Sequence, residues 1–277
     1  MSSLRLGSSG GPPAPEHSRC CSVTETGGSP PRRHPEGQAG YRGTVTTLRD
    51  SLLTALAAGR EMEAALLAAC DDSPAAAPDA WTVRDHVAHI AHYCDHAAAV
   101  LDAARTEAPM PEDAEADLDA RNARIFAANR GTAAAEAVAR ANAAHDRLVR
   151  AVERCSDEDL VRPRSPASAV PVWRVVPGSA WGHVGQHLVH WHLDRGEPAA
   201  AERAARRVHE IDTANLEDPR QRAEATYNLG CFYATTGRPD EAVALVGEAL
   251  TADPDLRDWA GQDPDLVSIR HLLPAGA

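Results

Sequence analysis

The chain contains no lysine: all 28 of its basic residues are arginine. That absence excludes a lysine Schiff base and a phosphate-loop lysine. Aromatic residues are scarce, at 4%, and runs of valine and isoleucine are short. Such a composition favours helices packed through small residues over an extended sheet. Six scattered cysteines (Cys20, Cys21, Cys70, Cys94, Cys155 and Cys231) form no C-x-x-C pair. A zinc knuckle, a thioredoxin-type site and a disulfide scaffold are therefore all disfavoured. No apolar run approaches the roughly 18 residues of a membrane span, and the N-terminus lacks a signal-peptide core. A formal charge of -12 with no basic stripe argues against nucleic acid or an anionic membrane as partner. Neither H-E-x-x-H nor G-x-G-x-x-G occurs, which leaves a zinc protease and a dinucleotide enzyme without support. The expectation from these absences is a cytoplasmic protein with reduced thiols.

What the chain does have is histidine. Eight of its 13 histidines fall in two short windows: His86, His89, His92 and His96, then His183, His187, His190 and His192. Imidazole is a common metal ligand and carries protons near neutral pH. Two clusters on separate predicted helices point to a site assembled between helices.

Residues 1–40 read as a disordered tail. Twenty of those 40 residues are Gly, Ser or Pro, and the segment cannot bury enough apolar surface to offset its ordering entropy. From Thr44 to about Ala69 the apolar spacing is helical, carried by Leu48, Leu52, Leu56, Met62 and Leu66. A second helix is predicted from near Trp81 to about Ala104, with Asp79 or Thr82 as its N-cap. A long helix or broken helix follows over about 113–155, and Gly131 is the place where it would split. A proline-rich loop leads to a fourth helix, about Gly178 to Asp194, closed by Gly196 and Pro198. Four long amphipathic helices with a long late connection predict an all-α chain with a four-helix bundle over 41–197.

The remainder, 198–277, reads differently. Leu229, Gly230, Tyr233, Gly237, Ala242, Ala249 and Pro254 stand at the spacing of a single tetratricopeptide-like repeat over 223–256. One repeat cannot bury both its faces. The hairpin is therefore expected to pack on flanking helices at 199–214 and 262–273 or on the bundle. Helical repeats mainly present surfaces to other chains, so 198–277 is a candidate for a protein partner or a homodimer contact.

Residues four apart on a helix lie about 40° apart around its axis, so His183 and His187 share a face, as two ligands of one metal must. His190 falls on that face too, and His192 lies opposite. In the first cluster His89 and His96 share a face but stand two turns apart. Periodicity slightly prefers His86 as the inward residue over His89 and leaves that ligand open. Asp85, Asp95 and Asp194 read mainly as helix-surface charges. Cys94, on the apolar side, reads as a buried thiol.

The run from Trp81 to Ile90, with its tryptophan opening the helix and a histidine eight residues later, resembles the second-helix motif of the DinB/YfiT-like four-helix bundle proteins. The run Trp181-Gly-His183-Val-Gly-Gln-His187 is similar to that family's H-x3-H on the last bundle helix. The segment from Leu118 to Phe126 and the approach Val170–Trp173 resemble the ClbS-like branch. The resemblance implies a divalent metal, such as zinc, nickel or iron, held by His89, His183 and His187. It implies a metal-dependent enzyme acting on a reactive small molecule, by thiol transfer, isomerisation or hydrolysis. Mycothiol-dependent maleylpyruvate isomerase-like members suggest a low-molecular-weight thiol such as mycothiol as cofactor. Tyr93 and Asn122 are the candidate substrate contacts. The alternative expectation is a non-catalytic protein that sequesters a ligand or docks a partner.

Overall fold

The computed structural model describes residues 46–77, 80–111, 117–165 and 168–273. The expected tail over 1–40 lies outside the described residues. Helix α1 (Leu48–Ala69) begins where the Thr47 hydroxyl accepts from the Asp50 amide. Helix α2 (Val83–Thr106) opens on a capping box, Thr82 and Asp85 each accepting from the other's amide. Such a cap is worth about 1 kcal/mol and fixes the path of the chain into the helix. Thr82 is thus the N-cap, and Asp79 lies outside the described residues. The predicted long third helix is two helices, α3 (Leu118–Asn129) and α4 (Ala134–Arg154), and Gly131 lies in the break between them.

The proline-rich stretch holds more structure than a loop. A short helix α5 (Asp157–Val161) is followed by strands β1 (Pro163–Ser165) and β2 (Ser168–Pro171), paired antiparallel. Residues Val172–Arg174 form a 3-10 turn leading into α6 (Val175–Ser179). The last bundle helix, α7 (Trp181–Asp194), starts three residues later than expected, because Ala180 breaks the helical backbone. Gly196, at φ +70°, ends it: the Gly196 and Glu197 amides donate to the carbonyls of Leu193 and His192. A residue in the left-handed region at that position is best served by glycine.

Four helices, α1, α2, α4 and α7, make the bundle. Alanine lets them approach closely: Ala55, Ala97, Ala137, Ala144 and Ala151 are all fully buried. Two ion pairs brace α2 against α4, Asp95 with Arg147 and Asp102 with Arg154, each at 2.7–3.0 Å. Both rungs advance by seven residues on each helix, so α2 and α4 run in the same direction. A parallel pair needs a return segment, and α3 lies in the connection that makes it. The overpass therefore lies between α2 and α4 as well as late in the chain.

Helix α8 (Pro198–Asn215) packs on α1 and α7 and also on α9 (Pro219–Thr235), so it belongs to both halves of the molecule. Gly185 makes this possible, because a Cβ there would come within 2.1 Å of Val208 Cγ2. Helix α9 pairs with α10 (Pro239–Ala252), and a short α11 (Leu256–Ala260) follows. Gly230 permits the close hairpin, since a Cβ would meet Val246 Cγ2 at 2.7 Å. The predicted flanking helix at 199–214 is α8. The one at 262–273 is instead two 3-10 turns, where Pro264 and a buried Asp263 cap a turn against the Tyr227 hydroxyl.

The two halves are locked through polar groups. Arg174, before α6, pairs with Asp218 and Glu224 of the hairpin. The indole of Trp181 on α7 donates to the buried Asp212 carboxylate on α8 at 2.9 Å. Burial raises the Asp212 pKa to about 7, against the opposing pull of the bonds from Trp181 and Gln221. The folded chain thus keeps a proton that the unfolded chain releases. This contribution to stability is complete below about pH 4 and is lost as pH rises through about 7. Asp212→Asn keeps an acceptor for Trp181 and cannot ionise. Its melting temperature should rise relative to wild type between pH 5 and pH 8, by an amount worth a few kcal/mol. Parallel melting curves across that range would show that Asp212 ionises normally.

Candidate metal centre

Thr82 and Asp85 set the site before any histidine does. Their capping box positions Trp81 one residue before the Thr82 N-cap, where a side chain packs back on the first turns of the helix. Trp81 lies with its ring centroid 5.2 Å from that of His86 and 5.1 Å from that of His89. Its other contacts form a stack. Trp81 lies nearly parallel to His187 at 5.7 Å and to Phe126 of α3 at 5.2 Å. The Arg130 guanidinium covers Phe126 at 4.6 Å and also reaches the Asp85 carboxylate at 3.4 Å. One side of the site is therefore walled by aromatic rings.

Against that wall α2 and α7 bring His89, His183 and His187 together. One ligand nitrogen from each can be chosen so that all three lie within 4.8 Å of one another. The rings of His183 and His187 stack at 4.7 Å, nearly parallel, and His89 meets both edge-on at 5.1 Å. His89 and His187 are buried, and His183 is enclosed by its neighbours while the residue keeps partial exposure. Burial holds all three pKa values below the usual imidazole range, and neighbouring imidazoles push them further down, His92 in the case of His183. His183 falls to about 4 even though a hydrogen bond to the Gly178 carbonyl opposes the shift. At neutral pH the set is uncharged, so each ring offers a lone pair.

His86 enters the site in a way its position in the sequence did not disclose. Its Nδ1 lies 2.7 Å from His187 Nδ1, both side chains are buried, and burial lowers its own pKa to about 3. With both rings uncharged, one nitrogen donates and the other accepts. If His187 donates, its Nε2 carries a free lone pair; if His86 donates, His187 Nε2 must carry the proton. A cation at His187 Nε2 thus selects the first arrangement, with His86 as acceptor. The Gly178 carbonyl does the same for His183 by accepting from its ring. His89 Nδ1 is buried with no hydrogen-bond partner. An orphaned buried nitrogen is costly unless something else satisfies it.

A family model of the DinB superfamily matches residues 55–193. The chain belongs to the DinB superfamily. The match runs from within α1 to the last turn of α7 and contains all four site histidines; α8 and the C-terminal hairpin lie beyond it. No curated protein and no solved structure matches the chain.

The other candidate residues of this DinB bundle divide clearly. Tyr93 packs its ring against His183 at 4.6 Å and His89 at 5.0 Å, and its hydroxyl donates to Asn122 Oδ1 at 2.8 Å. Asn122 is buried and holds the tyrosine from behind. Asp85 caps α2, Asp95 pairs with Arg147, and Asp194 is exposed. His192 bonds Glu197 at the end of α7. Cys94 is buried, its thiol directed at the Ser179 carbonyl and its pKa pushed up by burial. That thiol has none of the activation a nucleophile requires. Among the described residues Cys70, Cys94, Cys155 and Cys231 form no disulfide.

Replacing His86 tests the hydrogen bond to His187. His86→Ala should weaken divalent-ion binding about 10–100-fold, and His86→Gln, which retains an acceptor, should recover part of it. Zinc titration against a competing chelator reads both variants. Wild-type affinity in His86→Ala would show that His187 is positioned without it.

Proposed function

We propose that this DinB-superfamily chain is a metal-dependent enzyme acting on a reactive small molecule. The observation that carries the reading is the convergence of His89, His183 and His187 within 4.8 Å, with one buried nitrogen of His89 left unpaired. Three imidazoles that leave positions open match the donor pattern of catalytic rather than closed structural sites. Zinc, nickel and iron all accept such a set. His89, His183 and His187 would hold the ion, and its charge would supply the lowering of a water or thiol pKa that makes a nucleophile at neutral pH.

The chain's own residues would do the rest. His86 and the Gly178 carbonyl hold the rings of His187 and His183 in orientation. Trp81 and Phe126 exclude water from one side. Tyr93, anchored by Asn122, presents its ring to the substrate side. Thiol transfer, isomerisation and hydrolysis of an electrophile all suit such a site. A mycothiol-like cosubstrate and kinship with the maleylpyruvate isomerase-like or ClbS-like branch rest on the sequence resemblance.

A second reading makes the chain a binding protein that docks a partner, or a second copy of itself, through its tetratricopeptide-like C-terminal region. The exposed apolar side chains of Val267 and Leu272 near the end of the hairpin favour it. Metal content separates the two. Protein purified without a histidine tag should carry near-stoichiometric divalent metal by mass spectrometry, and a His183→Ala/His187→Ala double variant should carry almost none. A wild-type protein that stays metal-free after reconstitution would leave the binding reading standing.

A further inference from the structure

A pocket of about 920 Å³ runs along the outer face of α7. That volume lies in the range of small-molecule sites, and well-packed interiors hold few voids larger than a water. None of the three metal-site histidines lines it. Tyr93 does, and so does Gly178, whose carbonyl accepts from His183. The Tyr93 ring is in contact distance of His183 and His89. Tyr93 is therefore a wall shared by the pocket and the histidine set.

The opposite wall does not belong to the matched bundle. Helix α8 contributes Ala205 and Val208, and α9 contributes Leu229, Phe232 and Thr235. Together with Val189 and Leu193 of α7 these side chains give the pocket an apolar strip, beside polar groups of the same helices such as His209, Gln221 and Asn228. The charged lining runs against the net charge of the chain. Four arginines, Arg121, Arg164, Arg174 and Arg220, stand with three acids, Asp212, Glu224 and Asp265. Glu224 is engaged by Arg174 and Arg220, and Asp212 by the Trp181 indole. Arg121, on α3, lines the same pocket as Tyr93.

We propose that this pocket is the substrate chamber of the histidine site, that α9 of the C-terminal hairpin supplies its far wall, and that it takes a small anion with an apolar body. The anionic group would face Arg121 and Arg164, and the body would lie against Val208, Leu229 and Phe232. The reaction in this picture rests on the metal reading above, whereas occupancy of the pocket does not.

Calorimetric titration of the full chain with decanoate tests it, with decyltrimethylammonium as the cationic control. Decanoate should bind saturably at one site, and the cation at least ten-fold more weakly. Thr235→Trp, at an exposed position on α9, and Ala205→Phe on α8 should each weaken decanoate at least ten-fold by filling the pocket. An Arg121→Met/Arg164→Met double variant should do the same by removing charge. The His183→Ala/His187→Ala variant should still bind. Absence of saturable decanoate binding, equal binding of the cation, or wild-type affinity in Thr235→Trp would overturn the chamber. Metal content of the same preparations keeps the two readings apart. Bound metal without decanoate binding removes the chamber alone, and decanoate binding without metal removes the metal centre alone.

Discussion

The contact between His86 and His187 joins α2 to α7 inside the bundle, and the chemistry of the site depends on it. Two imidazoles 2.7 Å apart cannot both be charged in a buried setting, and both have pKa values lowered far below neutrality. The pair must therefore share one proton between two facing nitrogens. That constraint couples the tautomer of His187 to whatever its other nitrogen meets. It also explains the aromatic stack beside it. Trp81 packs its apolar ring against three imidazoles, His86, His89 and His187, without competing for their hydrogen bonds, which an amide or carboxylate at that place would do.

Close helix packing is the precondition for that geometry. Alanines let α2 and α4 run side by side, and glycines let α7 approach its neighbours. A Cβ on Gly59 of α1 would come within 2.7 Å of Trp181 Cβ, and one on Gly185 would collide with Val208 of α8. Trp181 thus sits between α1 and α8 and also bonds Asp212. The tryptophan that opens the last bundle helix does mechanical work: it ties α7 to the first helix and to the segment beyond the family match. Its position is two residues before His183, so the same turn that fixes the junction fixes the first ligand.

Some of this was legible from the chain alone. Spacing of four residues places His183 and His187 on one face, and the structure stacks their rings. Gly131 marked the break between α3 and α4, and Gly196 the end of α7. Periodicity could not choose between His86 and His89, because both are buried and both serve the site; the question allowed one answer where the fold gives two roles. Only the resemblance favoured His89 as a ligand. The role of His86 depends on a partner 101 residues away, which no local pattern contains. Its one local trace was the five-residue spacing from Trp81, which marks a side chain folded back on a capped helix start. The β1–β2 hairpin escaped because its strands are three and four residues long and begin or end on proline.

The relation between pocket and histidines was illegible for a different reason: it is a property of the assembly. Its walls come from α2, α3, the β1–β2 segment and α7 to α9, and none of those elements carries a motif for it. The arrangement divides labour along the chain. The bundle concentrates uncharged nitrogen donors behind Tyr93, where a low local dielectric strengthens their interaction with any cation placed among them. The added helices contribute shape and apolar surface at a distance from those donors. Changes on α8 or α9 can then alter what fits without disturbing the electrostatics that hold four imidazoles neutral. A bundle alone would leave the outer face of α7 open to solvent, and Tyr93 would be the edge of the molecule instead of a partition inside it.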